Sequence, residues 1–159
     1  MKAQNILYIM SDEHNPKMLG CYGHEQVQTP NLDKLAARGT RFTAHYTNSP
    51  ICIPARATFA TGRYTHDTKY WDNAMPYDGE VKGWGHRLQD EGHRVESIGK
   101  LHYRSEELNT GFSKQHHPMH VMEGIGQVWG SVRDPLPEER PAKMLNKIGP
   151  GESEYNRYD

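Results

Sequence analysis

Apolar side chains along this chain come in short runs whose period changes from one run to the next. Asn5 to Met10 (N-I-L-Y-I-M) is an apolar run without alternation, which predicts a strand buried on both faces of a parallel sheet. It stops at Ser11-Asp12-Glu13-His14. Thr29-Pro30 followed by N-L-D-K-L-A-A-R-G supplies a cap, a Pro at the first helical position, apolar Leu32, Leu35 and Ala36, and a terminating Gly39. That is the pattern of a short helix. Thr40 to Tyr46 then alternates, with Phe42, Ala44 and Tyr46 against Arg41, Thr43 and His45, and predicts a second strand. A turn at Asn48-Ser49-Pro50 follows.

In I-C-I-P-A-R-A-T-F-A-T-G, Pro54 stands where helices open and Gly62 where they close, which puts Cys52 just before a helix N-terminus. A further helix is predicted from about Gly79 to Glu91, closing at Gly92, with a strand over Arg94 to Ile98 and Gly99-Lys100-Leu101-His102 just past it. This order of elements favours an α/β class with a largely parallel sheet flanked by helices. Ligands of such sheets bind beyond the carboxyl ends of the strands. After Asp134 the pattern decays into P-L-P-E-E-R-P and G-P-G-E-S-E-Y, with at most a short helix near Ala142 to Lys147. Residues 135–159 therefore read as a loop, an insertion or a severed connection.

Composition narrows the function classes. The chain has 159 residues with 19 Lys and Arg against 20 Asp and Glu, and a net charge of −1 excludes charge-driven binding to nucleic acid. Leu, Ile, Val and Phe together number 25, of which 18 precede residue 113. That is thin for a globular domain, and the expectation is the N-terminal piece of something larger. No run approaches the roughly 18 apolar residues of a membrane-spanning helix, so no membrane partner is expected. The start, M-K-A-Q-N-I-L-Y-I-M-S-D-E, lacks the length and flanks of a signal peptide. A cytoplasmic setting is the expectation, provided Met1 is the true start. Cys21 and Cys52 are the two cysteines, a poor disulfide framework in a reducing compartment.

Several residues suggest chemistry. Asp12 and Glu13 end a predicted buried strand, where carboxylate oxygens suit Mg²⁺ or Ca²⁺, although loop and cap roles are equally open. Cys52-Ile53-Pro54-Ala55-Arg56 is more specific, because C-x-P-x-R has roughly 0.008 expected occurrences by chance at this composition. A helix N-terminus there offers free N–H groups and a positive dipole end to an anion. A buried structural Cys and an ordinary thiolate nucleophile are the alternatives. Cys21 reads as a small packed hydrophobe. His116 and His120 have the i, i+4 spacing of zinc ligands, but Pro118 breaks the helix that would align them, so a solvated loop is predicted. Trp71, Trp84 and Trp129 suit either packing or an aromatic box for a quaternary ammonium such as choline.

S-D-E-H after the first strand, L-G-C-Y-G-H, T-P-N-L-D-K-L-A-A-R-G, N-S-P-I-C-I-P-A-R-A-T-F-A-T-G-R and G-K-L-H together resemble the ordered N-terminal signature of the sulfatases, within the alkaline-phosphatase-like superfamily. The resemblance covers about residues 4 to 112, and it implies that residues 1–134 are the N-terminal portion of a sulfatase catalytic domain. It further implies that a maturation enzyme oxidises Cys52 to formylglycine. One oxygen of the hydrated aldehyde would attack sulfur, and the second hydroxyl would expel sulfate by collapse to the aldehyde. Asp12 matches a ligand of the family's divalent metal (Ca²⁺, Mg²⁺ or Mn²⁺). Glu13 matches a ligand position more often Asp, Asn or Gln, and the modified Cys52 would itself face the metal. Arg56 matches the arginine bracing the modified residue. Lys100 would bridge sulfate and nucleophile, and His102 would assist collapse of the sulfated diol. Asn73, in W-D-N-A-M-P, resembles a substrate-binding asparagine of choline-sulfatase-like and phosphonate monoester hydrolase-like members, and G-K-L-H-Y also resembles that branch.

A full sulfatase draws further metal ligands, a second His and a second Lys from far downstream. The resemblance therefore implies a sulfuric ester hydrolase acting on a small-molecule sulfate ester as part of a longer chain, with residues 1–159 inactive alone. A phosphonate monoester or phosphodiester hydrolase on the same site, and a non-catalytic module, are the other readings. Assembly into a homo-oligomer stays open.

Overall fold

The computed structural model describes residues 5–121 and Gly124. Residues 135–159, the helix expected near Ala142 and the Trp129 expectation lie outside the described residues. The chain divides into two compact units, Met1–His45 and Tyr46–Asp159.

In the first unit two single 3₁₀ turns, Pro16–Met18 and Gly20–Tyr22, precede helix α1, Pro30–Arg38. Helix α1 begins with Pro at its first position and ends at Gly39, as the sequence predicts. Thr29 makes no capping bond to its own helix. Its hydroxyl instead accepts from the Gly20 N–H at 2.9 Å and donates to Asp33 Oδ1 at 3.0 Å. Asp33 Oδ1 also accepts the Cys21 N–H at 2.7 Å. These bonds lock L-G-C-Y-G-H to the helix, and a Cβ on Gly20 would lie 2.5 Å from Asp33 Oδ2. Close approach is what the glycine provides.

Neither predicted strand of the N-terminal stretch forms. Asn5 to Met10 and Thr40 to Tyr46 carry no ladder, and Ile6 and Tyr46 are each 87 % exposed. Hydrophobic patterning reports which side chains favour burial, whereas a strand exists only where a neighbour supplies the other half of its hydrogen bonds. Among the described residues neither run joins a ladder.

The second unit opens with α2, Cys52–Thr61, closed by Gly62 at φ 67°. A one-turn helix α3, Thr65–Thr68, was not foreseen. Helix α4, Trp84–Asp90, begins five residues later than predicted, because residues 78–83 are held as turns. Asp78 Oδ1 accepts the Glu80 N–H at 3.2 Å, and Tyr77 donates its hydroxyl to Val81 O at 2.7 Å. Strand β1, Glu96–Lys100, pairs in parallel with β2, Lys114–Met119. Parallel pairing needs a long connection, supplied here by residues 101–113.

Two further expectations are corrected. Strand β1 runs two residues past Ile98, so Gly99 and Lys100 lie within it. The histidine-rich segment is β2 rather than a solvated loop. Its Pro118 is tolerated because the register slips there: Ile98 faces His116 while Lys100 faces Met119. Two β2 residues thus oppose Gly99, and a bulge accommodates a residue with no N–H.

The core of this unit is aromatic. Ala57, Ala60, Tyr70, Tyr77 and Tyr103 are buried together, with Met75, Val81, Leu101 and Phe112 packed against them. Tyr77 meets Tyr70 and Tyr103 edge-on, with ring centroids 5.6 and 4.9 Å apart, geometry that favours aromatic pairs beyond the area they bury. Trp84 packs edge-on against Phe59 and Phe112. That is the packing alternative rather than a cage. No helix among the described residues is long and apolar enough to cross a membrane.

Candidate active site

Cys52 is the first residue of α2, a free and half-buried thiol at the positive end of the helix dipole. Its neighbours leave few internal caps. Ile51 at the N-cap has no polar side chain, and Pro54 has no N–H to satisfy. The Ile53 N–H is met from outside the helix by Asn73 Oδ1 at 3.0 Å. Asn73 sits in a turn in which Asp72 Oδ1 accepts the Ala74 N–H at 2.9 Å and Asp72 O accepts the Met75 N–H at 3.1 Å.

Arg56 lies one helical turn beyond Cys52, and its side chain is buried. Its Nη1 donates to the Lys100 carbonyl at 2.8 Å, across 44 positions of sequence. This bond ties the C-x-P-x-R helix to the carboxyl end of β1. Gly99 has φ 86°, a conformation glycine adopts without strain. His102 has φ 59° and donates its N–H to Met119 O at 2.8 Å. A left-handed histidine two residues past a bulged strand is a backbone outlier of the kind that clusters at functional sites.

Tyr103 follows directly and is buried. Burial pushes its phenol above the ordinary tyrosine range, while the Arg56 guanidinium draws it part of the way back. The Tyr77 phenol is pushed up to about 12, chiefly by burial and then by the Asp78 carboxylate. Both phenols stay neutral at physiological pH.

Of the residues singled out from sequence, Cys52, Arg56, Asn73, Lys100 and His102 all belong to the second unit. Two hydrogen bonds, from the Ile53 N–H to Asn73 and from Arg56 to the Lys100 carbonyl, link the segments that carry them. Asp12 and Glu13 belong to the first unit, in an exposed turn in which Glu13 has φ 54°. Among the described residues no group of three or more His, Cys, Asp or Glu side chains converges. The two histidines considered for zinc have other partners: His116, in β2, meets Glu96 Oε2 from Nε2 at 3.1 Å, and His120, just past β2, meets Gln115 Oε1 from Nε2 at 2.8 Å. Sequence reasoning overlooked His86. This buried ring accepts the Gly83 N–H on Nδ1 at 3.1 Å and meets Asn109 O from Nε2 at 2.9 Å, so the proton is assigned to Nε2. No sequence pattern marked it, since its partners are backbone groups.

The family model described as Sulfatase matches residues 4–137. The N-acetylglucosamine-6-O-sulfatase of Bacteroides thetaiotaomicron is 36% identical over 105 residues, covering 66% of this chain and 19% of that protein. The choline-sulfatase of Rhizobium meliloti is 36% identical over 111 residues, covering 70% of this chain and 22% of the relative. Among solved structures, one in complex with its substrate D-glucosamine-2-N,6-O-disulfate matches with a TM-score of 0.65 at 35% identity, over 70% of this chain and 22% of that one. The phosphonate monoester hydrolase of Agrobacterium radiobacter matches with a TM-score of 0.56 at 25% identity, over 67% of this chain and 24% of that one. The chain spans about a fifth of the length of these curated relatives.

Proposed function

Because this chain belongs to the sulfatase family, with the α/β fold of its structural neighbours, we propose that it is the N-terminal portion of a sulfuric ester hydrolase that cleaves a small-molecule sulfate ester to alcohol and sulfate. The observation that carries the reading is the 2.8 Å bond from Arg56 Nη1 to Lys100 O. It sets the C-x-P-x-R helix, with its candidate nucleophile, against the G-K-L-H segment that carries a cation and a titratable ring.

In this reading Cys52 is the position a maturation enzyme converts to formylglycine, and a free, half-buried cysteine at the first position of a helix suits that role. Formylglycine supplies a hydrated aldehyde, one hydroxyl to attack sulfur and a second to release sulfate. The chain's own groups do the rest. Arg56 holds the helix and the strand end in one geometry through its fixed fork of donors. Lys100 brings an ammonium to an anionic ester and its developing charge. His102 moves a proton as sulfate is released. The first turn of α2 adds a favourable dipole.

The family also implies a divalent metal. Asp12 and Glu13 offer hard oxygens, but a Ca²⁺ ion takes about six to eight of them, and the donors among the described residues do not complete a shell. Residues 1–159 alone are therefore expected to be inactive, and the full-length protein to be active. Measurable sulfate-ester turnover by residues 1–159 would overturn that expectation.

The test is a panel of one sulfate ester, one phosphonate monoester and one phosphodiester, given to the full-length protein, with peptide mass measurement across Cys52. Sulfate release and an aldehyde at Cys52 support the proposal. A phosphonate or phosphodiester hydrolase is the second reading, favoured by the fold match to the Agrobacterium enzyme, and exclusive cleavage of those esters would establish it instead. An unmodified thiol with no turnover would favour a non-catalytic role.

A further inference from the structure

We infer that Asn73 is a positioning residue for the nucleophile, acting through its side-chain carbonyl on the first turn of α2. The inference rests on the assignment of Cys52 as the reacting position, and it concerns what holds that position in place. A helix N-terminus ordinarily takes its cap from a Ser, Thr, Asp or Asn at the N-cap. Here Ile51 occupies the N-cap and makes no side-chain bond. The cap comes from twenty residues away, where Asn73 Oδ1 accepts the Ile53 N–H at 3.0 Å.

Ile53 N–H is a donor, so the atom facing it must be the amide oxygen, which fixes the orientation of the Asn73 side chain. The supporting turn is anchored twice. Asp72 holds the Ala74 and Met75 N–H groups, and Met75 packs against the buried Tyr70, Tyr77 and Tyr103 cluster. Ile53 itself is 1 % exposed. Cys52 is thus flanked by a residue locked into the core and bonded to an anchored turn, while Arg56 is bonded to Lys100 one turn later. Two external bonds pin the N-terminal half of the helix, one on each side of Pro54. Small displacements of a nucleophile cost large factors in rate, and these bonds remove the freedom for them.

The positioning role differs from an ester contact in which atom of the Asn73 amide is used. An ester contact would use the amide N–H₂ as donor to the anion. Positioning uses the carbonyl as acceptor. Asn73→Asp keeps the acceptor and loses the donor, whereas Asn73→Ala loses both. In the full-length protein, hydrogen exchange at the Ile53 amide is expected to quicken by about tenfold in Asn73→Ala and to stay within about twofold of the parent in Asn73→Asp, as loss and retention of one buried hydrogen bond require.

In sulfate-ester kinetics, Asn73→Ala is expected to lower kcat by about tenfold with KM little changed. Asn73→Asp recovers kcat but raises KM, because its second oxygen repels the ester. Unchanged exchange at Ile53 in Asn73→Ala would overturn the positioning role outright. So would a raised KM with unchanged kcat in Asn73→Ala, the signature of a ground-state contact alone. If the parent protein turns over no sulfate ester, the sulfatase reading fails on its own, and the exchange measurement still decides whether Asn73 holds the helix.

Discussion

Arg56 is the residue on which the proposed site turns, because one buried guanidinium joins two elements that carry different parts of the chemistry. Lysine keeps the charge but lacks the planar fork and the reach of its terminal nitrogens. Arg56→Lys in the full-length protein is therefore expected to lower kcat/KM by about 100-fold, a loss typical of misplacing reacting groups by an ångström. Arg56→Ala is expected to destabilise by about 2–4 kcal/mol as well, from lost stem packing and an orphaned carbonyl. Denaturant unfolding beside steady-state kinetics separates the two effects. A second single-residue prediction concerns pH. Burial holds the His120 pKa below its usual value, against a smaller opposing pull from the Tyr103 backbone. The folded state thus resists protonating this ring while the unfolded chain accepts a proton near pH 6.5. The contribution is fully present above that pH and is lost as pH falls below it. The melting temperature is expected to decline below about pH 6.5, and His120→Gln to flatten that part of the profile. The candidate residues themselves were legible in the sequence, because C-x-P-x-R and G-K-L-H are rare combinations with few structural explanations. His86 and the acceptor role of Asn73 were not, because backbone partners leave no trace in a sequence pattern.

Elements whose ends are written in local chemistry were the legible ones. Helix α1 is bracketed by Pro30 and Gly39, and α2 ends at a left-handed Gly62. The strands were harder for the opposite reason. A strand's existence depends on a distant partner, so the apolar run at Asn5 to Met10 predicted a ladder that does not form among the described residues. The K-Q-H-H-P-M segment gave no strand signal, yet β1 recruits it. Pro118 argued against regular structure there, and the bulge that admits it cannot be seen without the partner's register. Gly99 and Gly20 show two separate reasons for glycine. Gly99 needs positive φ and has open space beside it, whereas Gly20 needs room against Asp33. Gly99→Ala is expected to cost about 1–2 kcal/mol through left-handed strain, and to lower activity by disturbing Lys100. Gly20→Ala is expected to destabilise by at least as much, with relief when combined with Asp33→Ala, which removes the clashing carboxylate at the expense of the Cys21 N–H bond. A double-mutant cycle on thermal unfolding checks the coupling.

At the scale of the whole molecule the chain is two units, of which the second carries five of the seven candidate residues and an aromatic core of its own. The family could be read from the order of five short motifs, although the described structure forms only a two-stranded piece of the parallel sheet the sequence predicted. The Arg56–Lys100 bond has a consequence for how much the chain between its ends can vary. Once those ends are clamped, a lengthened loop costs only the slow logarithm of its size, about 0.6 kcal/mol per doubling. At Gly92, where an added Cβ meets nothing within 4 Å, extra residues would hang from the surface and leave the clamp undisturbed. Gly83 and Gly85 abut the backbone of Ala60 and Gly111, and extra residues there would wedge α4 away from the helix that bears Cys52. Length variation is therefore permitted at one corner of this unit and forbidden a few residues earlier, so homologues are free to grow new surface at Gly92 without rebuilding the site.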